Sequence, residues 1–331
     1  MADLVEILFR SAAERLLPKS GTVLAAVSGG ADSVALLHLL AHFAARRPIR
    51  IVVAHLDHAL RRGSAADRRF VERLASGLGL ACLADRRPVA GLRRRDESPE
   101  EAARRVRRAF LLEAAAEARA GRIATGHTLD DQAETVLMRL ARGAGPAAIA
   151  GMAPEGPGPF VRPLLGVERA DLRAWLRRRG LGHREDPSNL SLEYDRNRVR
   201  RRVLPVLAAA LNPRAARHLV EAAERLREDA RLLDALARRR LQRIVTLGAS
   251  GRLSIDARAL ARTPAALAGR IARLALERAG ADPRRIGTRH VEALLGLAGG
   301  GEDRRADLPS GLGARRRGPE VVLDRRTCPR R

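Results

Sequence analysis

The sequence predicts an α/β protein, with a doubly wound parallel sheet over residues 1–205 and a smaller, mainly helical and basic C-terminal domain over 206–331. Three observations lead there. From residue 21 to 142, short apolar runs alternate with amphipathic helical patterns, the βαβα rhythm of a sheet that takes its ligands at the carboxyl ends of its strands. The first run breaks abruptly into Ser28-Gly29-Gly30-Ala31-Asp32-Ser33 before a helical pattern resumes. Beyond about Leu204 the β-like runs nearly vanish, and 214–245 reads as one long helix rich in alanine, leucine and arginine.

Taken in order, the strands fall at 22–27, 50–54, 80–84 and 122–125. Helix starts between them carry capping signals. Ser64 precedes Asp67, and Ser98-Pro99-Glu100-Glu101 combines a capping serine, a proline at the first helical position and the glutamate of a capping box. Gly121 is expected to end that helix. The Gly/Pro-rich passage 151–159 cannot continue a helix and reads as a surface loop or flexible flap. A helix over 167–179 stops at Gly180, and another begins around Arg198. Residues 254–297 read as a small helical domain that 306–325, with Leu308-Pro309-Ser310-Gly311, closes as a hairpin.

A length of 331 residues, 46% of them hydrophobic, suits two domains with their own cores. Cys82 and Cys328 stand far apart and form no Cys-x-x-Cys, which argues against a zinc site, a disulfide framework or a dithiol pair and suits a reducing cytoplasm. The first residues carry acids early and build no long uncharged run, so neither a targeting peptide nor a membrane span is expected. Basic residues number 63 against 38 acidic, a net charge of +25. Self-repulsion of that size is relieved by a polyanion, and nucleic acid is the favoured partner. Aromatics make up only 2% of the chain, so a folded RNA gripped through its phosphates fits better than a platform stacking unpaired bases. Trp175 and Tyr194 are isolated candidates for stacking or for packing, and the residues leave a homodimer open.

The turn at 28–33 has the makings of a phosphate cradle. Two glycines let the backbone approach a ligand, the free amides of the next helix face it, and Ser28 and Ser33 add hydroxyls. Neither a Gly-Lys-Ser/Thr nor a Gly-x-Gly-x-x-Gly is present, which excludes the commonest phosphate loops. Four further clusters follow, at His55-Leu56-Asp57-His58, Glu101-Ala102-Ala103-Arg104, Gly126-His127-Thr128-Leu129-Asp130-Asp131-Gln132-Ala133-Glu134-Thr135, and Asp186-Pro187-Ser188-Asn189 with Asp195-Arg196-Asn197-Arg198-Val199-Arg200. Asp131 and Glu134, three apart on a helix, share a face and offer two acceptors for an ammonium group or a magnesium ion. Arg196 and Arg200 share a face too, and a guanidinium fork suits phosphate.

Ser-Gly-Gly-Ala-Asp-Ser behind a strand resembles the PP-loop of ATP pyrophosphatases, with their adenine nucleotide alpha hydrolase-like fold. The blocks together, from about Val23 to Arg202, resemble the tRNA(Ile)-lysidine synthetase family. That resemblance implies adenylation of the wobble cytidine of an isoleucine tRNA bearing a CAU anticodon, followed by displacement of AMP by L-lysine. It implies ATP and Mg2+ as cofactors, with Ser28, Gly29, Gly30, Ala31, Asp32, Ser33, His55 and Asp57 around the nucleotide and Asp32 toward the metal. Asp131 and Glu134 then hold lysine, His127 is the candidate proton acceptor, and Arg196 or Arg200 neutralises phosphate. Arg104, Asp186, Ser188, Asn189 and Asn197 fall to the tRNA. Thr128 stands where the family often has a second histidine and Arg108 where it often has an aromatic, so neither receives a direct catalytic role. A PP-loop tRNA thiolase-like enzyme and a non-catalytic RNA-binding module are the alternatives.

Overall fold

Alternate residues of the first strand point to opposite faces of its sheet, and both faces are buried. Val23 and Ala25 join a core with Phe9, Leu36, Leu40, Val53 and Trp175, whereas Leu24 packs with Val52, Phe110, Ile123 and Phe160 on the other side. A strand covered twice belongs at the middle of a doubly wound sheet. A computed structural model, which describes residues 3–59, 63–95, 97–185, 191–248, 252–300 and 304–325, places it there.

The first part runs α1 (Leu4–Leu16), β1 (Gly21–Ala26), α2 (Ala31–Ala44), β2 (Ile49–Asp57), α3 (Ser64–Gly77), β3 (Ala81–Arg86), α4 (Pro99–Glu117), β4 (Ala120–Thr125) and α5 (Leu129–Ala141). It continues through α6 (Pro146–Ile149), β5 (Phe160–Val161), α7 (Arg169–Arg178), α8 (Asp195–Arg198), a π turn (Val199–Val203) and α9 (Leu204–Ala210) into α10 (Ala215–Ile244). The five strands are all parallel in the order β3-β2-β1-β4-β5. The winding therefore reverses between β1 and β4. A crevice opens outside the carboxyl ends of two strands at such a switch point, and both the 28–33 turn and the 126–131 turn sit there.

Local chemistry explains most boundaries. Ser98 Oγ accepts from the Glu101 amide at 3.2 Å while Glu101 Oε2 accepts from the Ser98 amide at 2.9 Å, the reciprocal box expected at the start of α4. The end of that helix differs from expectation. Arg119, at φ 51°, makes the left-handed turn, and Gly121 lies inside β4. The helix expected around Arg198 begins three residues earlier, at Asp195.

The Gly/Pro passage is tied down rather than loose. Gln132 Nε2 donates to the Met152 carbonyl at 2.9 Å and its Oε1 accepts from the Met152 amide at 2.7 Å. Arg139 reaches the Gly151 carbonyl at 3.0 Å, Arg162 the Ala153 carbonyl at 2.6 Å and Arg108 the Pro157 carbonyl at 3.0 Å. Beyond one antiparallel bridge between Glu155 and Val161, side chains outside the passage satisfy its backbone and tether it.

The chain divides into two compact units, residues 1–225 and 226–331, within α10. Arg217, on the first turn of α10, pairs with Glu168 just ahead of α7, which ties that turn to the first unit. The second unit adds β6 (Val245–Leu247), β7 (Leu253–Asp256), α11 (Ala257–Ala261), α12 (Ala265–Arg278), α13 (Thr288–Gly299), β8 (Arg305–Asp307), β9 (Leu312–Arg317) and β10 (Glu320–Arg325). Its helices pack on an antiparallel sheet of order β6-β7-β10-β9-β8 around Leu253, Ile255, Ile271, Leu294 and Val321. The expected hairpin is β9–β10, and the short β6 and β7 extend its sheet. No helix among the described residues is long and apolar enough to cross a membrane.

Replacing Ser98 by alanine removes one half of the α4 box. The expected cost is about 1 kcal/mol, checked by urea unfolding of both proteins.

Candidate active site

The 28–33 turn is braced from within. Ser33 Oγ donates to the Gly30 carbonyl at 2.9 Å, accepts from the Ser28 amide at 3.2 Å and lies 3.2 Å from Ser28 Oγ. Gly29 holds φ 93°, a conformation open to glycine at little cost, and its carbonyl accepts from the Arg184 amide at 2.9 Å. Gly30 then caps α2, leaving the amides of its first turn pointed at the crevice. Asp32 sits in that first turn. Its Oδ1 is buried without a hydrogen-bond partner, and burial raises its pKa against the lowering effect of Arg169.

The second turn comes within contact of the first. A Cβ on Gly126 would stand 3.1 Å from the Asp32 carbonyl, so only glycine allows this approach without displacement. After it, Thr128 caps α5: its Oγ1 donates to Asp131 Oδ2 at 3.0 Å, and its amide donates to the same oxygen at 2.8 Å. His127 Nδ1 lies 2.9 Å from Thr125 Oγ1, whose proton goes to the Val161 carbonyl. That assignment puts a proton on Nδ1 and a bare lone pair on Nε2. Burial, reinforced by nearby arginines, pulls the His127 pKa down to about 4, so the ring is neutral at physiological pH and a weak base.

Between the two turns lies a network of guanidinium groups and carboxylates. Arg169, at the start of α7, donates from Nε to Asp32 Oδ2 at 3.1 Å, from Nη2 to Asp131 Oδ1 at 2.7 Å and from its amide to Asp130 Oδ2 at 2.8 Å, with Nη1 3.5 Å from Glu134. Arg196 donates to Glu134 Oε2 at 2.6 Å and Asp131 Oδ1 at 3.0 Å, and Arg200 to Glu134 Oε1 at 2.6 Å and Asp131 Oδ1 at 3.2 Å. The Glu134 side chain is fully buried. Burial alone would raise the Asp131 pKa, but Arg169 and Arg196 outweigh it and lower the value. Asp131 and Glu134 therefore share a face as expected, and three guanidiniums already occupy it.

A family model described as a PP-loop domain matches residues 5–207. A tRNA(Ile)-lysidine synthase of Salinispora arenicola is 40% identical over 324 residues, covering 95% of this chain and 93% of that one. The chain belongs to the tRNA(Ile)-lysidine synthase family. A relative from Leifsonia xyli is 43% identical over 78% of this chain and 76% of its own length. Against the relatives from Geobacter sulfurreducens and Symbiobacterium thermophilum, at 42% and 39% identity, the chain spans 58% and 64% of their length. A solved U34-tRNA thiolase of Methanococcus maripaludis shares the fold, with a TM-score of 0.58 at 18% identity over 68% of this chain and 78% of that one.

The remaining site residues of this family member divide by their surroundings. His55 Nδ1 donates to the Val27 carbonyl at 2.8 Å and pins the end of β1, while Asp57 Oδ1 accepts from the Ala59 amide at 2.8 Å. Asn197 is buried and donates to the Ser191 carbonyl at 2.8 Å. Arg104 is exposed, with no ion pair among the described residues. Asp186, Ser188 and Asn189 lie outside the described residues. Trp175 is buried in the core and Tyr194 is 39% exposed. Burial pushes the Cys82 thiol up to about 11, which makes it a poor nucleophile.

Arg169 escaped sequence reasoning, and one signal pointed to it. A cation on the first turn of a helix opposes the helix dipole and needs a carboxylate partner. For magnesium, the orphaned Asp32 Oδ1 fits a cation that takes one carboxylate and completes its shell with phosphate and water. No group of three or more histidine, cysteine or acidic side chains suited to a metal occurs among the described residues.

Arg169→Met strands Asp32 without a partner and leaves Asp131 to Arg196 and Arg200. The expected loss is about 3 kcal/mol, measured by urea unfolding, with Arg169→Lys recovering only part of it. The depressed pKa values of His127 and His58, both about 4, set a second expectation. Between pH 4 and 6.5 the unfolded chain binds more protons at these rings, so stability rises with pH across that window. His127→Asn should flatten the slope of thermal midpoint against pH there.

Proposed function

We propose that this protein joins L-lysine to C2 of the wobble cytidine of an isoleucine tRNA with a CAU anticodon, consuming ATP and releasing AMP and pyrophosphate in the cytoplasm. The observation that carries this reading is the convergence of the 28–33 turn and the acid-bearing start of α5 at one switch point, bridged by Arg169. The cytidine C2 oxygen attacks the α-phosphorus, an O–P bond forms, and the bond to the departing pyrophosphate breaks. The lysine ε-nitrogen then attacks C2, the C2–O bond breaks, and the oxygen leaves within AMP.

The chain's own groups meet the needs of each step. Amides at the start of α2 face the phosphates, and Asp32 Oδ1 is the residue to hold Mg2+, which when bound supplies charge neutralisation at the leaving phosphates. Arg196 and Arg200 are spent on Glu134 and Asp131 until a triphosphate enters. Four carboxylates (Asp32, Asp130, Asp131, Glu134) face three guanidiniums, so arginines drawn onto phosphate leave acceptors for an ammonium group. Asp131 and Glu134 then orient lysine, and the bare Nε2 of neutral His127 is the candidate acceptor for a proton from the amine. Exposed arginines of α10 and of the second unit, with the 186–189 segment, take the tRNA body and anticodon region.

Two measurements test the reading. Isoleucine tRNA incubated with the protein, ATP and lysine should gain the mass of lysine less water at the wobble cytidine, with pyrophosphate release dependent on the tRNA. An unmodified tRNA with no ATP cleavage would leave an RNA-binding module. Asp131→Ala should abolish lysine incorporation while tRNA affinity changes less than about threefold, and normal incorporation would remove that carboxylate from the site.

A further inference from the structure

Beside the proposed reaction centre stand three arginines that have no counter-charge among the described residues. Arg108, on α4, donates from Nη2 to the Pro157 carbonyl at 3.0 Å and lays its guanidinium over the Phe160 ring, 4.5 Å from the centroid. Arg162, just past β5, donates from Nη1 to the Ala153 carbonyl at 2.6 Å. These contacts fix two planar groups on either side of the Gly/Pro passage. Arg104 lies one helical turn before Arg108, exposed.

None of the three makes an ion pair among the described residues. The Nε of Arg162 is buried with no hydrogen-bond acceptor, an unmade bond to a charged donor. Burial and the like charges of Arg104 and Arg108 depress the Arg162 pKa, and Arg162 and Arg104 also act on His127. Converging guanidiniums with an idle buried donor are a site that lacks its anion.

We infer that Arg104, Arg108 and Arg162 form a seat for one phosphodiester of the RNA substrate, next to His127 and the acid cluster; the inference rests on the RNA-modifying reading above. A singly charged phosphate matches the forks of Arg108 and Arg162 and supplies the acceptor that Arg162 Nε lacks. The triphosphate already has its cradle at the start of α2. Gripping one backbone phosphate here holds the reacting nucleotide against the adenylating turn, so the seat positions the base as well as binding the RNA.

The test is equilibrium binding of isoleucine tRNA to the full chain from about 50 to 300 mM salt, with steady-state kinetics for ATP and lysine. Arg108→Gln should weaken tRNA binding about tenfold and lower the slope of log K against log salt by about 1, with the KM values for ATP and lysine unchanged. Because Arg108 also holds Pro157, Arg104→Gln is the control for folding: it should lose slope in the same way with an unaltered thermal midpoint. An unchanged slope in both variants overturns the seat. A rise confined to the lysine KM makes it a carboxylate seat, and one confined to the ATP KM gives it to the nucleotide; either overturns the assignment. If the unsubstituted chain binds tRNA without modifying it, the proposed function fails while the slopes still decide the seat.

Discussion

Two carboxylates three residues apart on a buried helical turn set the terms for the crevice at the switch point. Desolvating Asp131 and Glu134 costs several kcal/mol per charge unless cations and hydrogen bonds compensate. Three arginines do so, and they come from elements with no other reason to meet: α7 supplies Arg169, α8 Arg196, and the π turn Arg200. Because Arg169 also holds Asp32, the same charges that keep α5 in place fix the first turn of α2.

The sheet makes that network possible by bringing two strand ends together. β1 and β4 are neighbours although 93 residues separate Ala26 from the start of their shared register at Ala120 on the partner strand, and the winding runs away from them in both directions. Gly126 then allows the two following turns to touch. Further out, Gln132 extends the order of α5 to the Gly/Pro passage, its amide imitating a peptide group toward Met152. A helix that carries acids on one face and a loop tether on another links the Asp131–Glu134 cluster to the passage that Arg108 and Arg162 also hold.

Legibility in the sequence followed the range of the interactions. The first four strands of the parallel sheet, the capping box at Ser98 and the stop at Gly180 rest on patterns a few residues long, and each stands about where the local pattern puts it. Arg119 took the turn assigned to Gly121 because a left-handed residue was needed immediately after α4, two positions before the glycine. The strands β5, β6 and β7 are two to four residues long, too short for alternation to register. The Gly/Pro passage read as loose because its anchors, Gln132, Arg139, Arg108 and Arg162, lie outside it in sequence.

By itself the sequence determined the alternation of strands and helices, the position of the Ser28–Ser33 turn and the acidic start of α5, since period, capping and turn chemistry are local. Only the tertiary structure decided which charges meet. Arg169 lies 137 residues from Asp32 and 38 from Asp131, and Arg200 lies 66 from Glu134. In a chain with 63 basic residues nothing local distinguishes those arginines from solvated ones; burial of the carboxylates, which exists only after the sheet has closed, selects them.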